Sequence, residues 1–388
     1  MRAARTWLVG AVVLAFCAGY MTGLLALRAE EVAGASELRP AKAALLDEAW
    51  AIVERDFSGE IPAPERVARG AAAGLLRALG DEATALIPAP EAQWLKSIEA
   101  GSEGDLGIFV HLGSDGCAEI AGLLPEGPAA SAGLQPGEDL CRADAQELHG
   151  MSLYQILARM RGPVGSTAKL LVRGADGRVR WVVLERRKLS EGGGSWAVLP
   201  SGIGVLRLRR IDSGTAEWVA GALRGLAQSG AKSIVLDMRG TSGGSLEQAW
   251  RVVDEFMSSG AVAVARRADG QERSYHASEG GGWSNHPIVT VVDGGTSGAA
   301  EAIAAALQAN RRSCLIGAPT YGMGSLQREF VLSDGSLARI TVEVWYTAQG
   351  EILHGRGVQP EILLQPERVS GGWALTVAEA YLRRLAER

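Results

Sequence analysis

The C-terminal half of this 388-residue chain alternates short apolar runs with helical stretches, and no other feature limits the possible folds as much. Ser233-Ile234-Val235-Leu236-Asp237 reads as a buried strand, and Pro287-Ile288-Val289-Thr290-Val291-Val292 as another. Helical patterns follow each of them, at Leu246–Met257 and Gly298–Gln308. Gly204–Leu208 and Thr215–Gln228 form an earlier strand and helix, and Ser313–Gly317 a later strand. Strands and helices in alternation predict an α/β domain.

The N-terminal part differs. Arg2 and Arg5 precede an uncharged run from Thr6 to Leu27, closed by Arg28. About 20 apolar residues span a bilayer, so residues 6–27 predict a transmembrane anchor with its basic end in the cytoplasm. A cleaved export signal is the alternative. Leu24 and Leu27 occupy the positions where a cleavage enzyme wants small residues, and Leu14-Ala15-Phe16-Cys17 is a weak lipoprotein box because Phe16 is bulky. Either reading places the bulk of the chain outside the cytoplasm, in the periplasm of a cell with an inner membrane.

Residues 37–100 predict a small helical segment. Leu45, Leu46, Ala49, Ile52 and Val53 recur at helical spacing within Lys42–Phe57, and a second helix runs from about Glu65 to Leu79. Residues 101–188 change to short strands and turns. Asp105–Val110 starts a strand after a glycine turn, and Pro128–Asp139 reads as a short helix and tight turn. Ser152–Met160 forms a helix, and Ala168–Arg173 with Arg180–Leu184 forms a hairpin around Asp176-Gly177. Residues 196–388 hold the α/β core.

Composition narrows the function classes. The net charge of -5 gives no case for nucleic acid. No Cys/His cluster has zinc-ligand spacing, so neither a metal nor a cofactor is expected. Cys117 and Cys141 read as buried free thiols or as a disulfide formed outside the cytoplasm. No lysine follows Lys232.

The 101–188 block resembles a PDZ domain of the bacterial type. Leu106-Gly107-Ile108-Phe109 matches its carboxylate-binding loop. Gly133-Leu134-Gln135-Pro136-Gly137-Glu138 matches its AGLxPGD turn, with Glu138 for the usual aspartate. The resemblance implies capture of a free peptide carboxylate by backbone N–H groups and addition of the peptide to a strand edge.

The core resembles the carboxyl-terminal processing peptidases, also called tail-specific proteases. Leu236-Asp237-Met238-Arg239-Gly240-Thr241-Ser242-Gly243-Gly244 is similar to LDLRGNPGG. The stretch Val292–Glu301 is similar to VNxGTASASE, and Gly317–Gln327 to GExTFGKGSVQ. Trp345–Gly350 and Gly357–Glu361 resemble the family's YYTPSG and GIxPD. The resemblance implies a ClpP/crotonase-like α/β core and a serine nucleophile activated by a lysine. On this sequence the nucleophile position is Gly298 and the lysine position Met323. Ala309 stands where some members carry an aspartate, and Gln327 is retained without its usual partner. Gly243, Gly244 and the N–H of Ala299 are expected to leave an oxyanion-like pocket.

These substitutions predict a non-catalytic homologue that binds protein C-terminal tails in the cell envelope, as adaptor to or inhibitor of an active paralogous protease. A homo-oligomer is a further possibility the sequence leaves open. Two alternatives stand beside it. One is an active serine endopeptidase with a rearranged site, using Ser297 as nucleophile and His286 as base. The other is a structural envelope protein that mediates assembly only.

Overall fold

The computed structural model describes residues 39–92, 103–112, 117–124, 127–188, 194–278, 281–369 and 372–387. The expected anchor at residues 6–27 lies outside them, and among the described residues no helix is long and apolar enough to cross a membrane. The chain divides into two units, residues 1–69 and 70–388. The described part of the first unit holds the helix Arg39–Asp56, which exposes Leu45, Leu46 and Ile52, and the start of the helix Pro64–Arg77. These are the two helices expected from the apolar spacing.

The second unit is built on a six-stranded sheet. Its strands lie in the order Gly194–Val198, Gly204–Leu208, Ile234–Asp237, Ile288–Val292, Cys314–Gly317 and Ile362–Leu363. The first two form an antiparallel pair, and all the others pair in parallel. Alternating side chains explain why the central strands carry apolar residues on both faces. Ile234 and Leu236 join a core with the helices Thr215–Gln228, Leu246–Asp254 and Ala299–Ala309. Val235, Val289, Val291 and Ile316 join a second core under the helix Trp373–Ala386. Ala299–Leu307 is buried on every side, and its run of alanines lets neighbouring elements close in around it.

An antiparallel sheet that the sequence reading did not foresee flanks this core. Ala85–Ile87, Leu337–Tyr346, Ala261–Arg267 and Glu272–His276 pair in that order, and Ser325–Val331 also pairs with Leu337–Tyr346. The expected helical segment 37–100 therefore ends early: Ala85, Leu86 and Ile87 form a buried strand opposite Arg339, Ala338 and Leu337. A strand of three residues is too short to show a period of two.

Residues 103–188 form a β-rich lobe. Its main sheet runs Ile108–Leu112, Ala118–Leu123, Asp139–Ala143, Thr167–Arg173 and Val179–Glu185, all antiparallel. The helix Leu153–Met160 starts at Ser152, whose hydroxyl accepts from Gln155 N while the Gln155 side chain accepts from Ser152 N. Ile108–Leu112 is an edge strand with this helix beside it.

The lobe rests on the core through glycines. A Cβ on Gly294 would lie 1.9 Å from the Ala121 carbonyl oxygen, and one on Gly122 would lie 2.4 Å from Gly295 N. Phe109 of the lobe covers Gly240 and Gly295, and the Tyr321 hydroxyl donates to Val110 O at 2.7 Å. Two backbones approach this closely only where side chains are absent. Gly294→Ala should therefore lift the lobe from the core. We expect a loss of about 1–3 kcal/mol in stability and faster hydrogen exchange at Ala121 and Val110, with the rest of the lobe unchanged. Unaltered exchange there would show that the contact is slack.

Candidate active site

The site is assembled by one carboxylate. Glu301, fully buried in the first turn of Ala299–Ala309, accepts four hydrogen bonds. Gly298 N (3.1 Å) and Met323 N (2.7 Å) donate to Oε2. Gly322 N (2.7 Å) and the Thr320 hydroxyl (2.5 Å) donate to Oε1. The expected nucleophile and lysine positions are thus brought together, since both backbones reach the same oxygen atom. Burial pushes the Glu301 carboxyl up to about 7, against four donors that favour its charged form.

Gly298 ends the turn from strand to helix at φ 64° and ψ −128°, a strained conformation for any residue with a side chain. A Cβ there would lie 2.4 Å from the Gly243 carbonyl oxygen. At Gly243 an acceptor faces the nucleophile position, and its N lies farther away, at 3.9 Å. Nothing crowds Gly244, and Ala299 is fully buried as the first residue of the helix. Met323 packs against the hydrophobic core of the β-rich lobe.

Other expected residues lie apart. Ala309 is the last residue of its helix, at the opposite end from Gly298, and its carbonyl accepts from Gln349 Nε2. The pairing of Ser297 with His286 is ruled out, because His286 precedes the strand Ile288–Val292 and Ser297 follows it. The His286 ring instead lies against Trp283, with centroids 4.4 Å apart and planes tilted by 43°. Ser297 N donates to Thr241 O.

Gln327 has found a new partner within a chain of bonds that the sequence reading missed. Its Nε2 donates to the Ser325 hydroxyl at 2.8 Å, which donates to His354 Nδ1 at 2.8 Å. His354 Nε2 in turn donates to Asp81 Oδ1 at 3.0 Å. Burial pushes the Asp81 carboxyl up, but His354, Thr341 and Thr84 outweigh it and hold the group well below the usual range. Ser325 is 4% exposed, so its hydroxyl is closed off from solvent. Residues 81, 325 and 354 are too far apart in sequence for any local motif to announce them.

A cavity of about 870 Å³ opens beside this chain, between the lobe and the core. Its lining includes Asp81, His354, Gly322 and Met323 together with His111, Glu119 and Asp293. Asp293 accepts from Gly240 N at 2.8 Å and Gly295 N at 3.0 Å, and burial pushes its carboxyl up to about 6. Below it the buried Arg239 donates to Asp237 at 2.8 and 2.7 Å and to Val369 O at 2.6 Å. Among the described residues no group of three metal-ligating side chains occurs.

Residues 202–364 match the family model of peptidase family S41. The carboxy-terminal-processing protease of Bartonella bacilliformis is 28% identical over 83% of this chain and 76% of its own. The carboxy-terminal processing protease CtpA of Bacillus subtilis is 27% identical over 92% of this chain and 75% of its own. The core of the chain thus carries a peptidase family S41 domain, and the chain is similar over most of its length to carboxy-terminal processing proteases. Its α/β fold is similar to the photosystem II D1 C-terminal processing protease, with a TM-score of 0.70 and 26% identity over 82% of this chain and 87% of that one.

The raised Glu301 carboxyl makes stability depend on pH. Its folded value of about 7 lies above the ordinary glutamate value of 4.5, so the contribution is complete below pH 4.5 and is lost as pH rises to about 7. Denaturant titrations of the natural chain and Glu301→Gln should therefore differ in slope between pH 4.5 and 7. Parallel curves would show that Glu301 does not titrate in this window.

Proposed function

We propose that this chain is a non-catalytic peptidase homologue that binds protein C-terminal tails outside the cytoplasm, as adaptor to or regulator of an active relative. The observation that carries this reading is the backbone at Gly298. Where the family places an attacking hydroxyl, this chain has no side chain, and the Gly243 carbonyl lies 2.4 Å from where a Cβ would stand. At the lysine position, Met323 is apolar and packed against the lobe. Neither a nucleophile nor its base is present there.

We assign tail binding to the β-rich lobe, read as a PDZ domain. Its edge strand Ile108–Leu112 lies beside Leu153–Met160, the arrangement that strand addition uses. In the expected carboxylate loop, Gly107 turns at φ 73° and its N–H is held by Asp105 Oδ1 at 2.8 Å. Asp105 Oδ2 accepts from Arg161 at 2.5 Å. A carboxylate of the chain itself thus occupies one expected donor, and an arriving tail would exchange with it. The cavity wall is a poor place for that tail, because Asp81, Glu82, Glu119 and Asp293 are all acidic. The apolar segment Thr6–Leu27 would hold the protein at the membrane.

A second reading rests on the Ser325–His354–Asp81 chain, which has the order of groups found in serine hydrolases. One experiment separates the two. The natural chain and the double variant Gly298→Ser with Met323→Lys are incubated with unstructured substrates bearing apolar C-termini, and binding and cleavage are measured together. We expect tail binding that is lost when the terminal carboxylate is amidated, and no cleavage by the natural chain. The double variant should gain little, since the new side chain meets the Gly243 carbonyl. Cleavage by the natural chain would overturn the proposal, and its loss in Ser325→Ala would move the nucleophile to the buried chain.

A further inference from the structure

The edge strand Ile108–Leu112 pairs with Ala118–Leu123 on one side only. Gly107 O accepts from Leu124 N on that paired side. Backbone groups alternate in direction along a strand, so Ile108, Val110 and Leu112 turn their N–H and C=O to the free edge. A tail joining the sheet by strand addition must pair with these groups. Two of them are already engaged. The Tyr321 hydroxyl donates to Val110 O at 2.7 Å, and the Leu112 N–H donates to the Glu82 carboxyl.

Apolar contact reinforces these bonds. Tyr321 and Met323, two residues apart in the loop before Ser325–Val331, both pack against the lobe's hydrophobic core. The His111 ring meets the Tyr321 ring edge to face, with centroids 6.5 Å apart. Just beyond Glu82, the strand Ala85–Ile87 lies beside Leu153–Met160, the helix that would grip a tail from its other side. The loop itself is held by its backbone, since Gly322 N and Met323 N donate to Glu301. A lysine at position 323 would bring a charge that such an apolar contact penalises, and methionine does not.

We propose that Tyr321 and Met323 are a built-in competitor, which holds the free edge of the lobe closed until a C-terminal tail displaces them. The inference rests on the reading of the lobe as a tail-binding module. The two states exclude each other, because the Tyr321 side chain reaches Val110 from the side on which an added strand would run. Being part of the same chain, the competitor meets the edge at a high effective concentration whatever the amount of tail present. The apparent affinity for a tail is then the intrinsic affinity multiplied by the fraction of lobes that stand open. Weak tail binding by the natural chain follows, and any change that loosens Tyr321 or Met323 strengthens it.

The full chain in detergent is titrated with a labelled peptide ending in apolar residues, and with the same peptide amidated at its C-terminus. Tyr321→Phe removes only the hydroxyl and should tighten binding of the free-acid peptide by about 2–12-fold, the net worth of one hydrogen bond. Met323→Ala should tighten it as well, and the double variant more than either. The Met323 methyl resonance, identified by its loss in Met323→Ala, should shift in the natural chain as peptide is added. Equal affinities in all four chains, or a resonance unmoved at saturation, would overturn the competitor and leave tail binding intact. Weaker binding by the variants would overturn it too, making both side chains part of the tail's own contacts. Absence of binding in every chain, the double variant included, would overturn the tail-binding reading and this inference with it.

Discussion

The geometry of the site depends on a single buried carboxyl group. Glu301 sits at the start of a helix, where unpaired backbone N–H groups and the helix dipole favour negative charge. It also accepts from the backbone of Gly322 and Met323, which belong to a loop about twenty residues on. A buried carboxylate is costly unless its oxygens are filled, so the turn at Gly298 and the loop at Met323 are held together whatever side chains they carry. The frame around positions 298 and 323 is thus set by backbone groups and Glu301 rather than by the side chains at those positions.

A second constraint is the close seating of the β-rich lobe. Gly122, Gly294 and Gly295 allow backbone to meet backbone, and Phe109 fills the hollow above Gly240 and Gly295. Tyr321 ties the lobe to the loop that Glu301 organises. Tyr321 and Met323 pack against the lobe's core, and the Met323 backbone also donates to Glu301, so the lobe and the site share these two residues. The acidic cavity beneath belongs to the same arrangement. Its carboxyls are accommodated by burial that raises Asp293 and by donors that lower Asp81.

Much of this was legible in the sequence, for local reasons. Strands covered on both faces must be apolar throughout, so Ile234–Asp237 and Ile288–Val292 announced themselves. The helix Thr215–Gln228 was read at its observed bounds, and Ser152–Met160 differs from the observed helix only by its capping residue. The motifs around Gly240, Gly298 and Met323 placed the site, and Glu301 does bring the last two together. The antiparallel sheet was missed because Ala261–Arg267 and Leu337–Tyr346 lie outside the alternation of strands and helices, and each pairs with segments far away in the chain.

What the sequence determined by itself was the order of strands and helices, the family of the core, and the absence of a hydroxyl at position 298 and an amine at position 323. These follow from residue identity and short-range spacing. Only the tertiary structure decided that the Gly243 carbonyl faces position 298, that Ser325, His354 and Asp81 form one chain of hydrogen bonds, and that Tyr321 reaches the Val110 carbonyl. Each of these joins segments that are distant along the chain, and the direction of a carbonyl or the register of two strands is fixed by packing that no local pattern encodes.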